Sequence, residues 1–427
     1  VRGDTGLLTD HYELTMLRAA LHDGSASRRC VFELFARRLP DGRRYGVVAG
    51  TSRLLQEIAS FAYSDEELAF LVDREVLDED TCEWLSGYRF SGSIDGYAEG
   101  EAFFPGSPVL TVEATFAEAV VLETLALSVL NHDSAVASAA ARMTQAAGDR
   151  PCIEMGSRRT HEEAAVASAR AAYLAGFSAT SNLAAGRQYG IPTAGTAAHA
   201  WVLLHDKESD SFRAQVDALG VGTTLLVDTY DITEGIRAAV EVAGPGLGAV
   251  RIDSGDLGVL AVQARAQLDA LGARNTRIVL SGDLDEHSVA ALATAPVDAY
   301  GIGTSVVTGS GAPTAGFIYK LVEVDGRPVA KRSEDKATRG GRKTAVRRHR
   351  PTGTATEEVL HTQGPPEPRE HDRALQVRYV RDGRLLDVPS LQQSRDHLHH
   401  VRTTLPWHGL ALSHGEPAIP TTYEGAP

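Results

Sequence analysis

The sequence predicts an α/β protein organised round a parallel sheet, closed into a barrel or spread as a wide doubly wound sheet. Three observations predict it. From residue 152 onward, short apolar runs alternate with helix-patterned stretches. Such alternation builds parallel sheets with both faces covered by helices. About seven of these units follow one another, as a barrel or a broad open sheet requires. Nearly every apolar run also ends in polar residues, and in parallel α/β architectures ligands gather at the carboxyl ends of the strands.

The elements follow in order. Residues 7–21 read as a helix with Thr9 or Asp10 near its start. Residues 30–36 alternate like a strand, and 66–85 are patterned as a helix. Between 90 and 110, strand-like pieces are broken by Gly92, Gly96, Gly100, Pro105 and Gly106. An Ala-rich helical region spans 113–143. The strands of the regular part are 152–157, 176–181, 193–196, 223–228, 249–253, 277–282 and 299–303. Helices lie between most of them, at 161–174, 234–242 and 257–271, and Thr160 with Glu163 has capping-box spacing for the first. After Lys320 the composition changes. The run 331–350, rich in Lys, Arg and Gly, reads as a solvated surface loop in preference to a ligand lid. Gly364, Pro365, Pro366 and Pro368 mark a loop, 378–386 a hairpin round Asp382-Gly383, and the tail from Gly415 is expected to fray.

Composition narrows the function. Of 427 residues, 43% are apolar and 23% charged, which excludes disorder as a whole. Asp plus Glu number 56 against 42 Lys plus Arg, a net charge of −14, which argues against a general nucleic-acid or anionic-membrane binder and leaves room for a basic pocket. Cys30, Cys82 and Cys152 are far apart and form no CxxC pair, which speaks against a disulfide framework or a cysteine-built zinc site and fits a reducing compartment. No apolar run approaches the roughly 20 residues of a membrane helix, and no signal pattern opens the chain. The expected location is the cytoplasm. The first residue is Val1 and not Met, as expected if the native start lies upstream.

The strand mouths supply the candidate site. They read Glu154-Met155-Gly156-Ser157-Arg158-Arg159, Ser181-Asn182, Gly195-Thr196-Ala197-Ala198-His199, Asp228-Thr229-Tyr230-Asp231, Arg251-Ile252-Asp253-Ser254-Gly255-Asp256, Ser281-Gly282-Asp283 and Gly301-Ile302-Gly303-Thr304-Ser305. Small residues and backbone N–H groups from Gly301 to Ser305 suit a phosphate. Asp253, Asp256 and Asp283 offer oxygens to sugar hydroxyls or Mg²⁺. Arg158 and Arg251 offer planar forks to carboxylate or phosphate. The set describes a phosphorylated sugar beside a small anion. Plainer readings stand next to it. Asp231 with Glu234 suits a helix cap, and Gly301-x-Gly303 an ordinary turn. Arg159 suits an outward ion pair, and His199 a hydrogen-bonded structural histidine. His397, His399 and His400 have no further partner in sequence to complete a metal site.

With these residues in view, the chain resembles a bacterial nicotinate phosphoribosyltransferase over most of its length. The resemblance rests on Thr9-Asp10-His11-Tyr12-Glu13-Leu14-Thr15, on Phe32-Glu33 with Arg37-Arg38-Leu39-Pro40, and on the mouth motifs from Glu154 to Asp283 in their joint order. It implies the type II phosphoribosyltransferase fold: an irregular parallel α/β barrel over 111–325, with a second mixed α/β domain formed from 1–110 and 326–427. It also implies a homodimer with active sites shared across the interface. The family joins nicotinate to 5-phosphoribosyl 1-pyrophosphate, giving nicotinate mononucleotide and pyrophosphate, with ATP as co-substrate and Mg²⁺ as cofactor. The step feeds NAD formation.

Carried over by position, the resemblance has Tyr12 of a neighbouring subunit stack on the pyridine ring. It sets Arg158 near the ring carboxylate and the pyrophosphate. Arg251, Asp253 and the Gly282-Asp283 turn hold the phosphoribosyl part, with Thr196, Asp228 and Thr304 among the substrate-binding residues. Gly301 and Gly303 contact the 5′-phosphate, and His199 is the phosphorylated histidine. Two departures from the nicotinamide-using relatives bear on the base. Met155 replaces an aromatic ring-stacking residue, and a thioether can still pack against a ring edge. Ser181 replaces an Asp that accepts from an amide, which favours an anionic ring substituent. Residues 338–343 are a candidate nucleotide-contacting loop. The competing expectations are a quinolinate or nicotinamide phosphoribosyltransferase and a non-catalytic nucleotide-binding barrel. The first needs more basic residues for a dicarboxylate, and the last predicts missing ligands at several strand mouths.

Overall fold

Six short strands form the sheet at the centre of Ala139–Pro313: β1 (Cys152–Glu154), β2 (Ala179–Thr180), β3 (Thr224–Leu226), β4 (Ala249–Ile252), β5 (Arg277–Gly282) and β6 (Ala299–Ile302). The computed structural model describes residues 5–331, 339–367 and 369–425. Every neighbouring pair is parallel, and the order is β2-β1-β6-β5-β4-β3. The sheet curls into a half-barrel, the irregular parallel barrel expected of the sequence. One expected strand is corrected: 193–196 makes only a single parallel bridge, Thr180 to Thr193. Pro192, next to Thr193, has no N–H to donate to a ladder.

Helices separate most of these strands, and their starts follow local chemistry. Asp231 accepts from the Glu234 N–H at 2.9 Å and opens Ile232–Ala243, so the capping reading of Asp231 holds. Asp256 caps Leu257–Ala270 in the same way. The Thr160–Glu163 capping box does not form. His161 is the N-cap of Glu162–Leu174, and its Nδ1 accepts from the Glu163 N–H. That helix is Ala-rich, with Ala165, Ala167, Ala169, Ala171 and Ala172 all buried. Side chains that small let a helix lie close against its neighbours.

The other unit comprises Val1–Ser138 with Thr314–Pro427. Its larger sheet has seven strands and is antiparallel throughout. Arg29–Ala36 lies between Phe317–Val324 and Leu110–Thr115, and Ser93–Tyr97 pairs with Gln376–Arg381. Both chain ends therefore supply strands to one sheet. Its core includes Phe32 stacked on Tyr319, with ring centroids 4.9 Å apart.

Four expectations are corrected in this unit. The stretch 66–85 is two helices, Asp65–Asp73 and Glu79–Ser86, with Glu75 in a left-handed conformation between them (φ 58°). Glu113 belongs to a strand, and the helical region opens later, with the Thr115–Glu118 capping box. The tail does not fray before residue 425: Thr421–Glu424 pairs in parallel with Ala355–His361, and Ala418 and Ile419 are buried. The basic run is not a solvated loop from 339 onward, and 332–338 lie outside the described residues. Lys343 is buried on Glu33 at 2.8 Å, and Arg347 is fully buried between Glu101 and Glu358. Arg342 binds Asp95 and Glu113. These cations are consumed by internal carboxylates, which weakens the case for 338–343 as a nucleotide loop; Thr338 itself is outside the described residues. The hairpin at Asp382-Gly383 forms as expected, both residues having positive φ. Among the described residues, no helix is long and apolar enough to cross a membrane.

Candidate active site

Strand register assembles the site. Successive side chains on a strand alternate between faces. In β4, Val250 and Ile252 are buried, and Arg251 points the other way. Arg251 is level with Val279 of β5, and Ser281 is level with Gly301 of β6. Gly301 is in turn level with Ile153 of β1. One face therefore carries an apolar floor, Ala249, Val279 and Ala299. Arg251, Ser281 and Gly301 follow further along the strands, with Met155 just beyond β1.

These residues open on a cleft lined also by Arg158, Arg159, Asp253, Gly282, Asp283, Gly303 and Thr304. At its centre Arg251 is fixed by three bonds to side chains. Its Nε donates to Ser281 Oγ at 2.7 Å, one terminal nitrogen to Asp253 Oδ1 at 2.6 Å, and the other to Thr196 Oγ1 at 2.9 Å. Ser281 donates in turn to Asp253. Burial works against ionising Asp253, but the Ser281 hydroxyl and the Arg251 guanidinium outweigh it and hold the carboxyl below the usual range. Asp228 supports the next loop: its Oδ2 accepts from the Asp253 N–H at 2.9 Å and from Ser254 Oγ at 2.7 Å.

The glycines are there for space. Gly282 has φ 128°, and a Cβ on it would lie 2.9 Å from the Asp253 carbonyl oxygen. A Cβ at Gly301 would lie 2.8 Å from Met155 Sδ, so the thioether rests directly on bare backbone. Arg158 and Arg159 sit together in a one-turn 3₁₀ segment, Ser157–Arg159, and both line the cleft.

His199 starts a short helix, His199–Leu203, with its ring 41% exposed. Nδ1 is 3.1 Å from Thr229 Oγ1, and Nε2 is 3.8 Å from Asp228 Oδ1. The second distance exceeds a hydrogen bond, which leaves the buried Asp228 Oδ1 without a partner. Glu208 stands near this group. Burial first, then the charges of Asp228 and Asp231, push its carboxyl up to about 7.

Four expected residues of this unit are outside the cleft lining: Thr196, Asp228 and His199, placed above, and Ser181. Ser181 is exposed at the end of β2, where its N–H donates to the Glu154 carbonyl. Tyr12 belongs to the other unit, in the first turn of His11–Asp23 and 45% exposed. Burial and the carboxylates of Glu123 and Glu13 push its phenol above the ordinary range. The sequence assigns no role to Ser281, Thr229 or Glu208. The Ser-Gly-Asp and Asp-Thr-Tyr-Asp motifs contained the first two, but only the register shows which atoms they reach. Among the described residues no group of three or more His, Cys, Asp or Glu side chains is arranged to hold a metal.

Comparison with known proteins follows the same lines. Residues 7–131 match a family model described as the nicotinate phosphoribosyltransferase N-terminal domain, and 151–352 match that of the nicotinate phosphoribosyltransferase family. Nicotinate phosphoribosyltransferase pncB1 of Mycobacterium tuberculosis is 62% identical over 425 residues, covering 97% of this chain and 94% of the relative. The Bacillus subtilis nicotinate phosphoribosyltransferase is 38% identical over 356 residues, covering 80% and 72%. The crystal structure of human nicotinic acid phosphoribosyltransferase superposes with a TM-score of 0.83 at 25% identity, covering 96% of each chain. A Pyrococcus furiosus nicotinate-nucleotide pyrophosphorylase shares the fold, with a TM-score of 0.78 at 23% identity over 94% and 95% of the two chains.

Proposed function

The chain belongs to the nicotinate phosphoribosyltransferase family and acts in NAD biosynthesis on nicotinate and 5-phosphoribosyl 1-pyrophosphate, and we propose that the cleft over β4, β5 and β6 carries the reaction. The observation that carries this reading is the Arg251–Ser281–Asp253 triangle, held rigid beside Arg158 and the bare backbone of Gly301 and Gly303. A preorganised cation and carboxylate suit a phosphorylated sugar, and glycines let a phosphate approach the main chain.

In this reading the anomeric carbon gains positive character as pyrophosphate departs, and the pyridine nitrogen attacks it from a fixed position. That nitrogen has no proton to lose, so no strong general base is needed. Arg158 faces the ring carboxylate, and Met155 packs on the ring. Ser181 offers no acceptor charge to an amide, so nicotinate is preferred over nicotinamide. Mg²⁺ would supply charge that neutralises the departing pyrophosphate; one or two carboxylates suffice for such a site, and Asp283 on the cleft wall would offer one. Pyrophosphate release with nicotinate, nicotinamide and quinolinate, each with and without ATP, tests the base and the coupling together. Equal turnover of nicotinate and nicotinamide sinks the assignment of Arg158 and Ser181.

ATP coupling runs through His199. A ring nitrogen bonds to the γ-phosphorus of ATP as the bond to the ADP oxygen breaks. Thr229 orients the ring, and the unpartnered Asp228 Oδ1 balances the charge that develops on it. On this reading His199→Asn keeps some ATP-independent synthesis and loses both ATP hydrolysis and its stimulation. γ-Labelled ATP leaves acid-labile label on the wild type alone. Label and stimulation surviving in His199→Asn would remove the histidine from this role.

The working unit is a homodimer in which Tyr12 of the partner subunit stacks on the pyridine. Tyr12 is exposed enough to serve a second copy. Tyr12→Ala and Asp253→Ala, each inactive, partly rescue one another in verified heterodimers. Absence of rescue there means self-contained sites.

A further inference from the structure

Behind the cleft, on the reverse face of β1, lies a carboxylate with no role in the chemistry above. Glu154 is fully buried, and burial pushes its carboxyl above the ordinary range despite the bonds it accepts. Taking a carboxylate out of water is costly unless something compensates the lost hydration.

Its bonds show what that is. One oxygen accepts from the Gly156 N–H at 2.5 Å, and the other from the Thr180 hydroxyl at 2.5 Å. Thr180 Oγ1 also accepts from the Asn182 N–H at 3.0 Å, so its own proton is directed at Glu154. Asn182 reaches back across: its amide Nδ2 donates to Ser157 Oγ at 3.0 Å. The amide orientation is set because Asn182 Oδ1 accepts from the Ala185 N–H at 2.8 Å. A Cβ on residue 156 would meet Val307 Cγ1 at 2.2 Å as well as the Glu154 carboxylate at 2.9 Å, so glycine there allows both close approaches. The bonds close a ring from Glu154 to Gly156 and Ser157, across to Asn182 and Thr180, and back. On one side of the ring stands Arg158, on the other Ser181.

We propose that Glu154 is a positioning residue for recognition of the pyridine carboxylate, clasping the Arg158 turn to the end of β2 through Thr180 and Asn182. This rests on the assignment of Arg158 to the base. The clasp sets where the guanidinium meets the ring, and it leaves the Arg251–Ser281–Asp253 triangle untouched.

Three variants test it: Thr180→Val, which keeps shape and removes the hydroxyl, Thr180→Ser, which restores it, and Glu154→Gln. The readouts are the KM for nicotinate, the KM for 5-phosphoribosyl 1-pyrophosphate and the melting temperature. Removing a bond to a buried charged group weakens the aligned state roughly tenfold or more. Thr180→Val and Glu154→Gln therefore raise the nicotinate KM about tenfold, leave the other KM within about twofold, and Thr180→Ser returns to near wild type. Should Glu154→Gln fail to fold, the Thr180 pair carries the test by itself. Both KM values rising together, or neither rising, overturns the clasp. Arg158→Ala measured in parallel separates the two readings. An unchanged nicotinate KM there removes the Arg158 assignment. A raised KM there, with Thr180→Val unaffected, overturns the clasp alone.

Discussion

Ser281→Ala removes one oxygen from the centre of the cleft. That oxygen accepts from Arg251 Nε at 2.7 Å and donates to Asp253. The serine is buried, so water does not replace it. Each hydrogen bond to a charged group is worth roughly 1.5–3 kcal/mol. The loss is not the full sum, because Arg251 keeps Asp253 at 2.6 Å and Thr196 at 2.9 Å. A net cost of about 2–3 kcal/mol in the reacting state lowers kcat/KM for 5-phosphoribosyl 1-pyrophosphate by about 30- to 150-fold. The pH profile moves as well. Ser281 heads the groups that hold Asp253 below the usual carboxylate range. Without it Asp253 takes up its proton at higher pH, and the acid limb of the profile shifts upward. The assay is initial rate against the phosphoribosyl donor at saturating nicotinate, from about pH 4 to 8, with circular dichroism to show an intact fold. A folded Ser281→Ala enzyme with wild-type kcat/KM and an unmoved acid limb refutes the triangle as the donor site.

Three further outcomes follow from particular contacts. Glu13 is buried and its carboxyl is raised from 4.5 to about 7, chiefly by burial. Between those values the folded state holds a proton that the unfolded state has lost, so this group's contribution to stability falls as pH rises through the window. Wild type loses roughly 2–3 kcal/mol between pH 4 and 8 through this group, and Glu13→Gln does not; urea unfolding at the two pH values measures the difference. Arg347→Met strands Glu358, which is fully buried with it, and costs about 3–5 kcal/mol by denaturant titration; a neutral result denies the ion cluster its structural role. Gly301→Ala sets a methyl 2.8 Å from Met155 Sδ and lowers activity by about tenfold, an overpacking cost of order 1–3 kcal/mol. Adding Met155→Ala recovers much of the accompanying loss of stability if this contact is its cause, and denaturant titration of both variants decides it.

The alternation of apolar runs with helical stretches after residue 152 determined the parallel sheet, because a strand buried on both faces leaves a continuous apolar signature in the chain. The polar ends of those runs determined where a ligand would sit. The Asp231 cap was equally legible, since it depends on four consecutive residues. Bonds between residues far apart in the chain were decided by tertiary structure alone. Ser281 joins Arg251 only because parallel register sets Val279 beside Arg251 and leaves the serine one step beyond. The fate of the basic run turned on partners far away in sequence: Glu33 takes Lys343, and Glu101 takes Arg347. A run of Lys and Arg reads as solvated until carboxylates some 250–300 residues distant are folded against it. The tail reads as a fraying end until its backbone pairs with Ala355–His361. Local periodicity is written along the chain. Which buried charge finds which partner depends on where the fold brings them together.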